Sequence, residues 1–163
     1  MGFFPIPDYT FNNITEITPG FLSGPGVSFL MLDLDNALAA YTEREPAADV
    51  LVWLNNIRQC GISVFMISNS LKIKRVRRFA QAFNIEFIHG AKKPSKRGLE
   101  YAMEKFGFSK SQSAMVGDQI FTDALAAKKA GVTSIILKPR HLSDPLLAIR
   151  YAIELPFRRA CKN

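Results

Sequence analysis

The sequence has few cysteines, no long apolar run, no internal repeat and no low-complexity segment, and these absences exclude several classes of protein. Cys60 and Cys161 are far apart and lack a CxxC or histidine-rich partner, which excludes a disulfide scaffold or zinc site and suits a reducing compartment. No apolar run approaches the roughly 18 residues that a membrane-spanning helix needs. The opening MGFFPIPDYT has no basic stretch followed by an apolar one, so we expect no secretory signal.

The composition is that of an ordinary globular protein, with 48% apolar and 21% charged residues among 163. This length is enough for one domain with a substantial core. We therefore expect a single domain over residues 1–163, with its core at about 27–138.

The net charge of +7 is the unusual bulk property of the chain. Nine lysines and arginines lie between residues 72 and 97, where Glu86 is the only acidic residue. Such a concentration favours anionic partners: phosphorylated metabolites, lipid headgroups or nucleic acid. The alternative is a solvated helix face, and both interpretations stay open for residues outside the motifs below.

Short β-rich runs alternate with helical patterns along the chain. The runs predict strands at 27–32, 62–67, 85–88, 113–117 and 133–138. The helical patterns lie at 46–59, 72–83, 94–107 and 122–131, and Ser109 with Gln112 predicts a capping box. This alternation predicts an α/β fold with a three-layer, doubly wound parallel sheet.

Polar side chains follow the first four predicted strands. They are Asp33 and Asp35, then Ser68 and Asn69, then Lys93, and finally Asp118 and Asp123. Ligands of such sheets bind beyond the carboxyl ends of the strands, so we expect these side chains to converge there. Each alone has an ordinary explanation as a cap, a turn residue or a solvated charge, but their coincidence at successive strand ends favours a site.

Clustered carboxylates without a nearby arginine in sequence are what a hard divalent cation requires. Mg²⁺ takes oxygen ligands and is usually completed by water and a substrate phosphate. The hydroxyl of Ser68 and the charge of Lys93 can hold phosphoryl oxygens on the other side of the cavity. The set therefore indicates phosphoryl transfer with Mg²⁺ as cofactor.

The motifs DLDNAL, ISNS, KKP and GDQIFTD, in this order, resemble the four motifs of the haloacid dehalogenase superfamily of phosphatases over about residues 27–138. PDYTFNNITEITPGFL, AKKP and GDQIFTD resemble the YqeG-type subfamily, which extends the likeness over nearly the whole chain. The resemblance implies a Rossmann-like core and a phosphomonoester hydrolase. Because some relatives act on phosphatidylglycerophosphate, it also implies a lipid phosphate as one candidate substrate.

The resemblance also implies roles for the residues. Asp33 is the nucleophile that forms an aspartyl-phosphate, and Asp35 is the general acid and then the general base. Ser68, Asn69 and Lys93 bind the phosphoryl group, with Lys93 preferred over Lys92 because it directly precedes the proline. The implied Mg²⁺ ligands are Asp33, the main-chain carbonyl of Asp35, and Asp118, with Asp123 in support.

Ala37 departs from the family pattern, which usually has threonine or valine at this position. It removes a hydroxyl near the aspartate pair. Since every charged motif residue is kept, we expect retained activity rather than a degenerate binding protein.

Few residues separate the motifs: about 35 lie between Asp33 and Ser68, and about 25 between Ser68 and Lys93. Each interval is filled by one helix and one strand, so we expect no separate cap domain. An open site suits a large or membrane-bound substrate, although a second subunit could also cover it, and the oligomeric state stays open.

The C-terminal segment after Asp144 predicts a helix with apolar Leu146, Ile149 and Ile153 and basic Arg150, Arg158 and Arg159. A basic amphipathic helix can rest on anionic lipid, but a terminal helix packed on the sheet is the favoured interpretation. Phe3, Phe4 and Phe11 leave the same choice at the N-terminus. We expect a cytoplasmic protein, with peripheral contact at the inner face of the membrane as an open alternative.

Three other functions compete with a lipid phosphatase. One is a phosphatase for a soluble phosphorylated metabolite, and another is a receiver-like regulatory domain, which the DxD spacing and the late GDQIFTD disfavour. A third is a nucleic-acid-binding protein that uses the basic cluster. No recognition motif accompanies that cluster, so we expect no specific nucleic-acid partner.

Overall fold

The computed structural model describes residues 4–161, which form a six-stranded sheet with helices on both faces. The strands are β1 (Tyr9–Phe11), β2 (Phe29–Leu32), β3 (Ser63–Ile67), β4 (Phe87–Ile88), β5 (Ser113–Gly117) and β6 (Thr133–Leu137). The α-helices are α1 (Pro19–Ser23), α2 (Ala48–Gln59), α3 (Ile73–Phe83), α4 (Arg97–Phe106), α5 (Leu125–Ala130) and α6 (Pro145–Arg159). Single helical turns lie at Ile14–Glu16, Lys110–Gln112 and Ile120–Ala124.

All strand pairs are parallel, in the order β1-β6-β5-β2-β3-β4. The chain runs outward from β2 through β3 to β4, returns to β5 beside β2, and continues to β6. The predicted doubly wound α/β fold is thereby confirmed. Its switch point lies between β2 and β5, where the carboxyl ends of two neighbouring strands open a crevice for a ligand.

The residues of β2 show why the sheet has a helix layer on each side. Leu30 and Leu32 are buried in a cluster with α2 and α3, while Phe29 and Met31 are buried in a second cluster with α4 and α5. Successive strand residues point to opposite faces, so an apolar run without polar interruption is buried on both sides. The three-layer arrangement follows from this pattern.

Strand β1 was not predicted, because three residues of mixed character give no β-rich run. Asp8 fixes this edge strand to β6. Its Oδ2 accepts hydrogen bonds from the backbone N–H (2.8 Å) and hydroxyl (2.8 Å) of Ser134, and its Oδ1 lies 2.6 Å from Lys128 Nζ. Burial would raise the pKa of Asp8, but Lys128 and the hydrogen bonds from Ser134 outweigh it and lower the pKa.

Helix α1 and the turn Ile14–Glu16 were not predicted either, and the elements that were predicted have their boundaries within a few residues of the expected ones. Gly107 ends α4 with a positive φ of 73°, and the predicted capping box of Ser109 and Gln112 is present. The β2–β3 interval holds one loop and α2, and the β3–β4 interval holds α3, so no cap domain interrupts the described core. Among the described residues, no helix has the length and apolar character to cross a bilayer.

Within residues 4–161 neither cysteine takes part in a disulfide bond, and Cys161 Sγ donates a hydrogen bond to Asp8 O at 3.3 Å. Of the N-terminal phenylalanines, Phe3 lies outside the described residues and Phe4 is exposed. Phe11 packs edge-on against Phe21, with 5.0 Å between ring centroids. Its ring therefore contributes to packing within the fold.

Candidate active site

Asp33 lies directly after β2, where its backbone N–H donates to Val116 O at 2.8 Å. Its carboxylate is almost buried, and Oδ1 lies 2.9 Å from Lys93 Nζ. The ammonium of Lys93 also donates to Ile67 O at 2.9 Å and lies 2.7 Å from Asp123 Oδ1. One buried cation therefore contacts two carboxylates and a strand-end carbonyl.

Asp118 and Asp123 complete an acidic cluster with Asp33. Asp118 follows β5 and Asp123 lies in the turn Ile120–Ala124, and both are fully buried. One carboxylate oxygen from each of the three residues lies within 4.8 Å of the others. Neither oxygen of Asp118 has a hydrogen-bond partner among the described residues, although Arg150 Nη2 lies 3.5 Å from Oδ2.

Such a donor set fits a hard divalent cation. Buried carboxylate oxygens without partners are costly unless a charge or hydrogen bond compensates them, and oxygen is the ligand type that Mg²⁺ prefers. Asp33, Asp118 and Asp123 are the side chains that could hold it. The carboxylate of Asp35 is not in this cluster, so its implied role as a ligand stays a prediction for its main-chain carbonyl.

The proximity of the acids changes their protonation. Burial, opposed by Lys93 and reinforced by the charge of Asp123, raises the pKa of Asp33 to about 7. Burial also raises the pKa of Asp118 well above its usual range, and Asp123 and Asp33 add to this effect. Burial alone would lower the pKa of Lys93, but Asp123 and Asp33 outweigh it, so the ammonium stays charged.

Glycine at position 117 makes room for the cluster. A Cβ on Gly117 would lie 2.2 Å from both Cγ and Oδ2 of Asp123, which is far inside contact distance. Asp123 Oδ2 accepts the backbone N–H of Gln119 at 3.1 Å, and this bond fixes the carboxylate against β5. The glycine of GDQIFTD is therefore required by the position of Asp123.

The side chain of Asn69 makes hydrogen bonds with both the N–H and the carbonyl of the Lys93 backbone. Asn69 Oδ1 accepts the N–H of Lys93 at 2.7 Å, and Nδ2 donates to its carbonyl at 2.9 Å. The neighbouring Lys92 is exposed with a positive φ of 57°. The structure therefore brings Lys93, and not Lys92, to the acidic cluster, and it gives Asn69 a supporting contact that the sequence did not indicate.

Ser68 is fully buried at the end of β3. Its Oγ accepts the backbone N–H of Ser70 at 3.0 Å, which leaves the hydroxyl proton free to be donated. The next two residues, Asn69 and Ser70, line the cavity described below. Ser68 is thus at the predicted strand end, directly before two residues of the cavity wall.

Asp35 lies outside the acidic cluster and contacts α3. Its Oδ1 accepts from Nε (3.2 Å) and Nη2 (3.1 Å) of Arg75. The sequence places no arginine near the aspartates, but the fold brings Arg75 to Asp35 and Arg150 to Asp118. Neither pair could be predicted from the spacing of residues in the sequence, because each forms only when elements that are distant along the chain pack together.

A cavity of about 260 Å³ opens between these groups. Its wall includes acidic, basic and aromatic side chains, namely Asp33, Asp35, Tyr41, Lys72, Arg75 and Lys93. Burial and the charges of Asp35 and Asp118 raise the pKa of Tyr41 to about 12, so its phenol is neutral and can donate a hydrogen bond. The basic residues give the cavity affinity for an anion, and Tyr41 was missed by the sequence analysis.

Ala37, the departure from the family pattern, is buried in the apolar core beside Leu34 and Leu38. The preceding Asn36 has a positive φ of 61°, and both polar atoms of its buried side chain lack a partner among the described residues. The side chain at position 37 therefore belongs to the apolar packing under the loop.

Helix α6 packs against the loop that carries Asp118. Glu154 Oε1 accepts the backbone N–H of Ile120 at 3.0 Å, and Arg158 donates to Asp118 O and, at 2.9 Å, to Leu137 O. Glu154 and Arg158, 2.8 Å apart, form what we call the α6 brace. The favoured interpretation of a packed terminal helix agrees with these contacts, although Leu146, Ile149 and Ile153 stay exposed.

The chain is similar in sequence to known hydrolases. A family model for haloacid dehalogenase-like hydrolases matches residues 11–131. The chain is also 30% identical over 141 residues to the "Probable phosphatase YqeG" of Bacillus subtilis (strain 168), a match that covers 86% of this chain and 81% of that protein.

Solved structures share the fold at lower identity. The cobalt-bound deoxy-D-mannose-octulosonate 8-phosphate phosphatase of Haemophilus influenzae superposes with a TM-score of 0.57 at 19% identity, over 68% of this chain and 66% of that one. NagD from E. coli K-12 has a TM-score of 0.57 at 14% identity, over 73% and 93%. A protein from Listeria monocytogenes serotype 4b has a TM-score of 0.55 at 17% identity, over 80% and 98%.

Proposed function

The chain belongs to the haloacid dehalogenase-like hydrolases and is a phosphatase, and we propose that it hydrolyses phosphate monoesters with Asp33 as nucleophile and Mg²⁺ as cofactor. One observation carries this proposal. At the switch point of the sheet, Asp33 pairs with Lys93 at 2.9 Å and lies in one cluster with Asp118 and Asp123. An excess of buried carboxylates beside an anion-binding cavity is the arrangement that such a reaction needs.

In the first half of the proposed reaction, a carboxylate oxygen of Asp33 attacks phosphorus in line with the leaving oxygen. The bond from phosphorus to the leaving oxygen breaks, and Asp35 donates a proton to that oxygen. The product alcohol leaves, and the phosphoryl group is bound covalently to Asp33. Lys93 offsets negative charge on Asp33 and on the phosphoryl oxygens, and the Ser68 hydroxyl donates to one of them.

In the second half, Asp35 has lost its proton and acts as a base toward water. The water oxygen attacks phosphorus, and the bond to Asp33 breaks. Inorganic phosphate leaves, and both aspartates return to their starting states. Asp33, Asp118 and Asp123 would hold the Mg²⁺. When bound, the ion supplies positive charge that neutralises these acids and the transferring group.

The chemistry is tested by phosphate release from p-nitrophenyl phosphate, with and without Mg²⁺ after treatment with a chelator. We expect release only with the metal, and we expect Asp33→Asn to abolish it. Asp33→Asn that retains the wild-type rate would contradict the assigned nucleophile. A phosphoprotein that persists without turnover would instead support the receiver-like alternative.

The surroundings of the cavity support a lipid phosphate, such as phosphatidylglycerophosphate, as substrate. Leu71 is 82% exposed between two residues of the cavity wall, and Tyr41 on that wall is 51% exposed. On α6, close to the Asp118–Arg150 pair, Leu146, Ile149 and Ile153 are 76%, 58% and 58% exposed. Exposed apolar side chains beside the basic Lys72 match a surface that is apolar and anionic, as a phospholipid bilayer is.

We further propose peripheral contact with the inner face of the membrane through α6. The test is co-sedimentation with vesicles that contain phosphatidylglycerol, comparing the wild type with the double variant Ile149→Ser and Ile153→Ser. We expect the variant to lose binding and activity on vesicle-bound phosphatidylglycerophosphate while it retains activity on p-nitrophenyl phosphate. Equal binding by both proteins would overturn the membrane contact and leave the chemistry untouched.

A soluble phosphate monoester is the second candidate, because a cavity of about 260 Å³ can accept a small phosphorylated metabolite without a bilayer. The two candidates separate by kcat/KM on phosphatidylglycerophosphate in vesicles and on a panel of sugar phosphates and nucleotides. A clear preference for a soluble substrate would replace the lipid assignment.

A further inference from the structure

Arg75, like Lys72 and Lys93, is a basic residue of the 72–97 cluster that lines the cavity. It lies in the first turn of α3, and its side chain is only 17% exposed. On the same helix, Arg77 and Arg78 are exposed to solvent. The guanidinium lies over the ring of Phe79 at 4.8 Å, which fixes its plane. Arg75 therefore has a built position, unlike a solvated surface charge.

Every nitrogen of the guanidinium has a partner. Nε and Nη2 donate to Asp35 Oδ1 at 3.2 and 3.1 Å. Nη2 also donates to Ala40 O at 2.8 Å, and Nη1 donates to Glu43 O at 2.5 Å. Arg75 thus joins α3 to both the strand-end acid and the loop that follows it.

The loop is itself a closed turn. The N–H of Ala40 donates to Glu43 Oε2 at 2.6 Å, and the N–H of Glu43 donates to Ala40 O at 3.0 Å. Tyr41, within this turn, contributes to the cavity wall. Arg75 therefore fixes Asp35 against a support that does not depend on the acidic cluster.

Both contacts of Arg75 with Asp35 use Oδ1. Among the described residues, Oδ2 of Asp35 takes no hydrogen bond, so this oxygen is free to face the cavity. We propose that Arg75 is a positioning residue that aims Oδ2 of Asp35 at the leaving oxygen of the substrate. The inference rests on the proposed function, in which Asp35 donates the proton. A planar guanidinium reaches three acceptors at once, which an ammonium cannot do in this geometry.

Leaving groups of different basicity test this role. An alkyl phosphate such as glycerol 3-phosphate needs protonation of its leaving oxygen, whereas p-nitrophenolate leaves without it. A general acid contributes roughly 100-fold to 10,000-fold. We expect Arg75→Ala to lower kcat/KM, which reports the step in which the leaving group departs, about 100-fold for glycerol 3-phosphate and less than about 5-fold for p-nitrophenyl phosphate. Arg75→Lys should restore part of the loss.

A double-mutant cycle with Asp35→Asn shows whether Arg75 acts through Asp35. In the Asp35→Asn background, Arg75→Ala should lower kcat/KM for glycerol 3-phosphate no further, because the group that it aims has been removed. Lys129→Ala, which removes an exposed charge on α5, is the matched control and should behave as the wild type. Thermal unfolding of each variant establishes that it is folded.

The outcomes separate the inference from the proposed function. A wild type that hydrolyses neither substrate contradicts the proposed function. An active wild type overturns the role of Arg75 alone if Arg75→Ala lowers kcat/KM equally for both substrates, or if its effect on kcat/KM adds to that of Asp35→Asn.

Discussion

Two buried polar groups meet at Asp118, whose side chain belongs to the first and whose backbone carbonyl contacts the second, and their charges are balanced differently. The acidic cluster has three carboxylates, Asp33, Asp118 and Asp123, around the single ammonium of Lys93. The α6 brace has one carboxylate and one guanidinium, Glu154 and Arg158, which also reach three backbone groups. One group carries surplus negative charge, and the other is neutral.

This difference in charge balance indicates that the acidic cluster serves the reaction, whereas the α6 brace stabilises the fold. Surplus charge away from water is unfavourable, so the fold retains the acidic cluster at a cost in stability, as binding sites often do. A neutral pair with backbone partners is instead what a structure needs to hold a loop in place. We therefore expect substitutions in the cluster to lower activity more than stability, and substitutions in the brace to do the reverse.

The largest effect is expected for Asp33→Asn. It removes the nucleophile and should lower kcat about 10,000-fold. It also removes one of three crowded negative charges, so the free energy of unfolding should stay the same or rise. Phosphate release and urea unfolding measure the two quantities. A large decrease in the free energy of unfolding of this variant would contradict the expectation that the acidic cluster is retained at a cost in stability.

Arg158→Met is expected to act mainly on stability. It leaves the carboxylate of Glu154 buried without its cation, which typically costs about 3–5 kcal/mol of unfolding free energy. Arg159→Met, one residue on and exposed, is the control and should change stability little. Denaturant unfolding that shows equal stability for both variants would show that the brace is not structural.

Gly117→Ala tests whether the position of the Asp123 carboxylate matters for metal binding by the acidic cluster. Its Cβ would displace the carboxylate of Asp123, and a shift of about 1 Å in a catalytic group can lower the rate about 100-fold. Gly20→Ala, whose Cβ meets only Thr18 Oγ1 at 3.8 Å, is the control. We expect weaker Mg²⁺ binding by calorimetry for Gly117→Ala alone. Unchanged affinity would mean that Asp123 is not needed for the metal.

The smallest effect on stability is expected for the ion pair of Asp8 and Lys128. Like the α6 brace it joins one acid to one base, but it is partly exposed to solvent. The pKa of Asp8 is lowered in the folded state, so its contribution is present above the unfolded pKa of about 3.9 and is lost as the pH falls through the lower folded value. Asp8→Asn should cost about 1 kcal/mol or less at pH 7, because solvent screens the charges. Urea unfolding between pH 7 and pH 2.5 should show that the free energies of unfolding of Asp8→Asn and the wild type become more similar as the pH falls. A difference that grows as the pH falls would contradict the expected sign.

The sequence predicted the central sheet well, because buried parallel strands such as β2 and β3 are apolar on both faces. It did not predict β1, whose pairing depends on Asp8 meeting Ser134 from the far end of the chain. Local patterns contain no information about such an edge strand.

The acids and Lys93 were predicted because they follow strands directly and match family motifs. The partners Arg75, Tyr41 and Arg150 were not, since each comes from a neighbouring helix or loop and has no fixed spacing from the acids. Arg75 was visible only as part of a basic run, and nothing in that run separates the buried arginine from its exposed neighbours.

The crevice between β2 and β5 has a consequence for how the protein gains activity. Asp33 comes from the first half of the chain, and Asp118 comes from the second half after three crossover connections. A nascent polypeptide that has emerged only as far as β4 already carries the nucleophile Asp33. It still lacks β5, the strand that pairs with the other edge of β2 and is followed by Asp118. Recovery of turnover during refolding should therefore report the last docking event of the sheet, later than the return of helical circular dichroism.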